Sequence, residues 1–153
     1  MVVNGQIAES PEAAAAAMVA LYPEGKAAMK RDMDLIREIL EAVEARTDRD
    51  AKPLAMPDRD ELIVGQHLHL LYHAGFLDGT AFAGGSKPYT QILVQDLTMD
   101  GHDFLAVLKN DHGWPKLKAM LPPQDLARMS MKVILDLGTA SVTHWAKQKL
   151  GLS

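Results

Sequence analysis

Three of the six histidines, His67, His69 and His73, fall in one short stretch, HLHLLYH. His69 and His73 are four positions apart. On a helix that places two imidazoles one turn from each other, the spacing used by metal-binding pairs. A zinc or nickel ion would need a third ligand, which His102, Asp103 or His112 could supply. The stretch does not read HExxH, because Leu70 follows His69. His67 falls on the apolar side of the same helix, where a histidine ordinarily bonds to backbone. The plainer reading is structural and surface histidines. No metal ligand is assigned, and a histidine-metal hydrolase stays an outside alternative.

Two other arrangements imitate chemistry. Asp100, His102 and Asp103 gather at a helix start, as an acid-base group would. No second carboxylate or nucleophile motif accompanies them. Asp100 there complements the helix dipole, with His102 and Asp103 facing solvent. Gly84-Gly85-Ser86-Lys87 lacks the GxxxxGK[ST] pattern and joins two strands, so it reads as a turn. There are no cysteines. That removes a thiol nucleophile, thiolate zinc and a disulfide framework. The expectation is a protein that is not an enzyme, with no catalytic residue and no cofactor.

The elements that hold these residues follow from spacing. Ser10-Pro11-Glu12 starts a helix that runs through the alanines to Leu21, with Ala14, Ala17, Met18 and Leu21 on a shallow face. Pro23 stops it. Met29, Met33, Ile36, Leu40 and Val43 alternate steps of four and three, which marks the clearest helix. A polar connection follows, with Pro53 to Met56 as a very short strand. Asp58 is expected to cap the next helix, with Glu61 three positions on. Ile63, His67, Leu70, Leu71 and Ala74 then share its buried face, and Gly75 ends it. Phe76 and Leu77 open a hairpin that closes over Ile92 to Thr98, with Gly84 to Lys87 at its tip. Thr98 caps a helix buried through Leu97, Gly101, Phe104, Leu105 and Leu108. Trp114-Pro115 opens a short helix, closed by Pro122-Pro123. A last helix is expected from Gln124 to Leu150, with small residues at Gly138 to Ser141 where another backbone could approach.

Composition bounds the partners. The chain has 153 residues, 48% hydrophobic, with a net charge of -4. That suits one domain with a terminal extension and argues against holding nucleic acid by charge alone. No apolar run is long enough to span a bilayer. The N-terminus lacks the basic region and apolar core of a secretory signal. A cytoplasmic protein with no membrane partner is expected.

MKRDMDLIREIL, HLHLLYHAGFL, LTMDGHDFL and NDHGWPKLK together resemble an uncharacterised family of small proteins from bacteria, phages and prophages, domain of unknown function 2513. The similarity covers Met29 to the final helix. It implies a winged-helix-like fold and brings no activity with it. Family members often start near Met29, so residues 1-28 are either a real addition or the product of an upstream start.

The fold class expected is therefore α+β: a winged-helix-like core at 29-153 with a long C-terminal helix, preceded by a one-helix extension at 1-28. The function expected is a phage-type regulator that binds duplex DNA. Arg59, Gln66, His69 and Tyr72 would lie on the groove-facing helix and Lys87 on the wing. The segment Asp58 to Asp78 holds one Arg and no Lys, a poor surface for phosphates. The alternative is a protein-binding module on the same scaffold that engages a host protein. A homodimer through the last helix is also expected, at Leu137, Ala140, Ser141, His144 and Trp145. Trp114 is read as core.

Overall fold

Asp32 accepts the backbone N–H of Leu35 and so starts helix α1, Met33–Glu44, in a computed structural model that describes residues 30–152. Met29, the extension at 1-28 and the helix expected from Ser10 to Leu21 lie outside the described residues. Helix α1 buries Leu35, Ile36, Ile39, Leu40 and Val43. That is the stripe its three-and-four spacing implies.

After α1 the chain is held by charge. The Asp48 carboxylate accepts from Arg46, from the backbone N–H of Asp50 and from Lys52. Lys52 then forms a single antiparallel bridge to Val94. The short strand expected at Pro53 to Met56 reduces to this one bridge. Pro53 has no N–H with which to continue the ladder.

Helix α2 spans Glu61–His73 and is capped by Asp60, not Asp58. Asp58 sits in a turn closed by the Arg59 N–H on the Met56 carbonyl, which delays the helix by two residues. The buried side chains of α2 are Leu62, Val64, Gln66, His67, Leu68 and Leu71. The expected face was right at His67 and Leu71 and wrong at Leu70, which is 41% exposed, and at the exposed Ala74. Ile63 is partly buried against the core. A helix covered on more than one side has no single apolar stripe to read. Gly75, at φ 87°, ends the helix. The Phe76 N–H bonds the Leu71 carbonyl and the Gly75 N–H bonds that of Tyr72. This is a Schellman ending, which favours glycine at the left-handed position.

Strands β1, Leu77–Phe82, and β2, Gln91–Leu97, pair antiparallel from Leu77 with Leu97 to Phe82 with Gln91, with a bulge at Asp78/Gly79. Ile92, Val94 and Leu97 point β2 into the core. Helix α3, Met99–Lys109, is capped by Thr98 as expected. The Thr98 hydroxyl also donates to the Gly75 carbonyl at 2.6 Å, tying the start of α3 to the end of α2. Phe104 on α3 is fully buried and lies 4.7 Å from Phe76, ring centre to ring centre.

Helix α4, Trp114–Met120, starts where Trp114-Pro115 placed it, and Trp114 is core. The single last helix expected from Gln124 to Leu150 is two: α5, Pro123–Arg128, and α6, Met131–Lys149. Arg31 donates to the carbonyls of Leu126 and Met129 at 3.3 and 2.7 Å. Ser130 caps α6 through the Val133 N–H. Carbonyls that would continue a helix are satisfied from elsewhere, and the chain turns there. Among the described residues the fold is α+β, with six helices and one two-stranded antiparallel hairpin.

Candidate interaction surface

The descending arm of the hairpin loop lies along α2. Lys87 ion-pairs with Glu61. Tyr89 approaches Gly65, where a Cβ would stand 3.7 Å from its ring. The His69 Nε2–H donates to the Thr90 carbonyl at 2.7 Å. Glu61, Gly65 and His69 are four apart, so one side of α2 is engaged along its length. The electrostatics agree. The Glu61 hydrogen bond holds the Lys87 ammonium above its ordinary pKa. Burial, and then the Glu61 charge, push the Tyr89 phenol up.

The residues expected to meet DNA are buried or engaged within the chain to different degrees. Gln66 is 2% exposed, with its amide nitrogen buried and unpartnered. It cannot reach a base edge, which corrects its placement on the outer side. Arg59 is spent on Glu38, whose hydrogen bond raises its pKa, with Asp32 4.0 Å away. His69 and Lys87 are engaged by the hairpin contacts just described. Tyr72 is half-buried and meets His73 edge-on at 5.1 Å. The basic residues of the connection are also paired: Arg46 and Lys52 with Asp48, and Arg49 with Asp96.

The histidines separate in role. His67 is buried between the Asp32 N–H and the Ile63 carbonyl. His69 and His73 face each other with ring centres 5.6 Å apart. Among the described residues no group of three or more His, Cys, Asp or Glu side chains is placed to hold a metal ion. Asp100 lies in the first turn of α3, with His102 and Asp103 exposed beside it. His112 lies elsewhere, stacked on Trp145 with ring centres 4.5 Å apart.

The pattern of the family described as "Hypothetical protein (DUF2513)" matches residues 30–125, more than half the chain. The chain belongs to the DUF2513 family. The motifs quoted above fall almost entirely inside the match. An uncharacterized protein of Haemophilus influenzae is 30% identical over 102 residues, covering 64% of this chain and 83% of that protein. No solved structure matches.

The last helix of this DUF2513 protein has two distinct sides. Ile134 and Gly138 are buried, and Ser141 and Trp145 are half-buried next to them. A Cβ at Gly138 would stand 2.5 Å from Val107 Cγ1. The close approach at Gly138 is made within the chain by the Val107 side chain of α3, not by another backbone, whose nearest atom to that Cβ is Trp114 N at 3.9 Å. Of the residues expected at a dimer interface, Ser141 and Trp145 thus lie on this inner side, with one face of the Trp145 indole stacked on His112. Leu137, Ala140 and His144 remain exposed, with Val133 beside them.

Spacing alone missed a cleft of about 510 Å³ between the connection, α2 and β2. Leu54, Met56, Val64, Leu68 and Ile92 give it an apolar floor, and Arg59 and Tyr89 stand at its edge. The signal for it was Pro53 and Pro57, which keep the connection from completing a third strand.

Proposed function

We propose that this protein is a cytoplasmic, non-enzymatic regulatory module of phage or prophage type, with a winged-helix-like scaffold that works through protein contacts. One observation carries the reading: two of the side chains that would meet DNA, Lys87 and His69, are engaged in contacts between the hairpin arm and α2, Lys87 with Glu61 and His69 with the Thr90 carbonyl. Phosphate contacts supply much of the affinity for duplex DNA, and the cations here are held by the chain's own carboxylates. Apolar side chains stand exposed instead, among them Leu70 and, at 43%, Phe82. No helix among the described residues is long and apolar enough to cross a membrane. A host protein or a second copy of the chain is the partner this surface suits.

Duplex DNA is the second reading, supported by the order of the elements: helix, single bridge, helix, hairpin, helix. A gel-shift series at low salt and micromolar protein separates the two. The expected result is no retained duplex. A shift that weakens steeply with salt and with Lys87→Ala would replace the protein reading with the DNA one. A covalently captured partner lost on Phe82→Glu or Leu70→Glu, and kept on Lys87→Ala, would support the protein reading.

A further inference from the structure

The outer shoulder of α6 carries a seam. Val133, Leu137, Ala140 and His144 follow steps of four, three and four, the spacing at which one helix meets another. Val133 is 43% and Leu137 39% exposed, and Ala140 and His144 are exposed as well. The buried side of the helix, at Ile134 and Gly138, is already occupied by the core. The seam is therefore an additional apolar face, left open by the described fold.

We propose that this seam binds a second copy of the chain in an antiparallel, two-fold pair of α6 helices centred on Ala140. This rests on the reading of the protein as a module that works through protein contacts, and it adds a second surface, on α6, with its own occupant. Three features select this geometry. First, Ala140 is the smallest residue of the seam and stands at its middle, where a two-fold axis brings a residue against itself. That lets the two backbones approach to about 8–10 Å.

Second, the flanking charges choose the direction. Asp136 and Lys147 lie on the same flank of the seam, and Ser141 and Gln148 lie on the other. An antiparallel two-fold brings like flanks together, so Asp136 of each protomer meets Lys147 and His144 from the partner copy, and the reverse. A parallel pair would turn Asp136 toward the uncharged flank. The carboxylate is available for the exchange. Its own partner, Lys132 at 3.3 Å, is exposed, and such pairs hold weakly. Third, antiparallel helices place opposite dipole ends side by side.

The size of the contact sets its strength. Helix α6 has 19 residues, about 28 Å of length. One helix pair of that length falls at the low end of stable interfaces. The dimer should be concentration-dependent and in the micromolar range.

Sedimentation of the full chain from low micromolar to near-millimolar concentration tests this. The average mass should rise toward that of a dimer, and Leu137→Glu should hold it at the monomer. Asp136→Lys and Lys147→Glu should each weaken association about tenfold, and the double variant should restore it. The direction is read with cysteines, since the chain has none of its own. Ala140→Cys should form an intermolecular disulfide, and Val133→Cys should not. Efficient cross-linking by Val133→Cys would mean a parallel pair and overturn the geometry. A monomer at every concentration would overturn the dimer. The protein-binding reading would survive that result if the gel-shift series remained negative, so the two failures are distinguishable.

Discussion

Asp32 donates its backbone N–H to the Nε2 atom of His67 at 2.9 Å, while Nδ1 of the same ring donates to the Ile63 carbonyl at 2.9 Å. Asp32 is also the cap of α1. One imidazole therefore fixes where α1 begins relative to the middle of α2. Both of its nitrogens are used, and the ring is buried.

This pairing gives the first prediction. His67→Leu keeps most of the volume but leaves a partly buried N–H at the α1 start without an acceptor. The expected loss is about 2–3 kcal/mol, mostly the cost of that unsatisfied donor. Urea unfolding should show a lower midpoint with an unchanged slope. A midpoint within error of the parent would mean that the ring is incidental to the joint.

Tyr89 reports whether the hairpin arm stays on α2. Burial and Glu61 raise its pKa from the ordinary value. The fold therefore favours the neutral phenol. The stability this contributes is complete below the unfolded-state value of about 10 and is lost as pH rises through the higher folded-state value. In an absorbance titration one of the three tyrosines should ionise late, and Tyr89→Phe should remove that phase. Glu61→Gln should bring the phase part of the way back toward the ordinary range. A Tyr89→Phe titration that keeps its late phase would show that the arm does not shelter this ring.

Asp48 should make the connection acid-sensitive. Its carboxyl is held well below the usual range, first by the Lys52 hydrogen bond, then by the Asp50 backbone N–H and by Arg46. A depressed folded-state pKa gives stability that is present above the unfolded value, about 3.9, and lost as pH falls through the folded value. Asp48→Asn should remove this component at neutral pH. The site is exposed, so the effect should be local: faster amide exchange at Val94, whose N–H bonds the Lys52 carbonyl at 2.8 Å, with little change in global melting. Unchanged exchange at Val94 would mean that the bridge does not need the clamp.

The sequence was most legible where one local rule decided the outcome. Thr98 could be read as a cap, Gly75 as a left-handed ending and Ile36, Leu40 and Val43 as a stripe because each depends on neighbours within a turn or two. It failed where distant contacts decided. Leu70 was placed inside because it follows the spacing of Ile63 and His67, yet α2 is covered on more than one side, and Gln66 is buried instead. Lys87 and His69 looked free because their partners, Glu61 and the Thr90 carbonyl, are 26 and 21 residues away in sequence. Trp145 reads as an exposed anchor because His112, which stacks on it, lies 33 residues away in sequence. Family membership was legible because its motifs are contiguous. The function of the surface was not, because it depends on which charges the fold neutralises.

The break between α5 and α6 offers the last test. Nothing in Leu126 to Val133 interrupts a helix by type: there is neither Gly nor Pro. The turn rests on two side chains, Ser130 on the Val133 N–H and Arg31 on the Leu126 and Met129 carbonyls. Burial lowers the Arg31 pKa from its ordinary value, so the guanidinium pays a desolvation cost that these carbonyls offset. Ser130→Ala should cost about 1 kcal/mol, the usual worth of an N-cap. Arg31→Met should cost more, about 1.5–3 kcal/mol, because a charged donor is lost. The two act on one turn, so the double variant should depart from additivity. The competing outcome is a single continuous helix. It would appear as helical circular dichroism that rises in the double variant while stability falls by less than the Ser130→Ala loss alone, and it would show that the chain prefers the unbroken helix and that Arg31 does not set the turn.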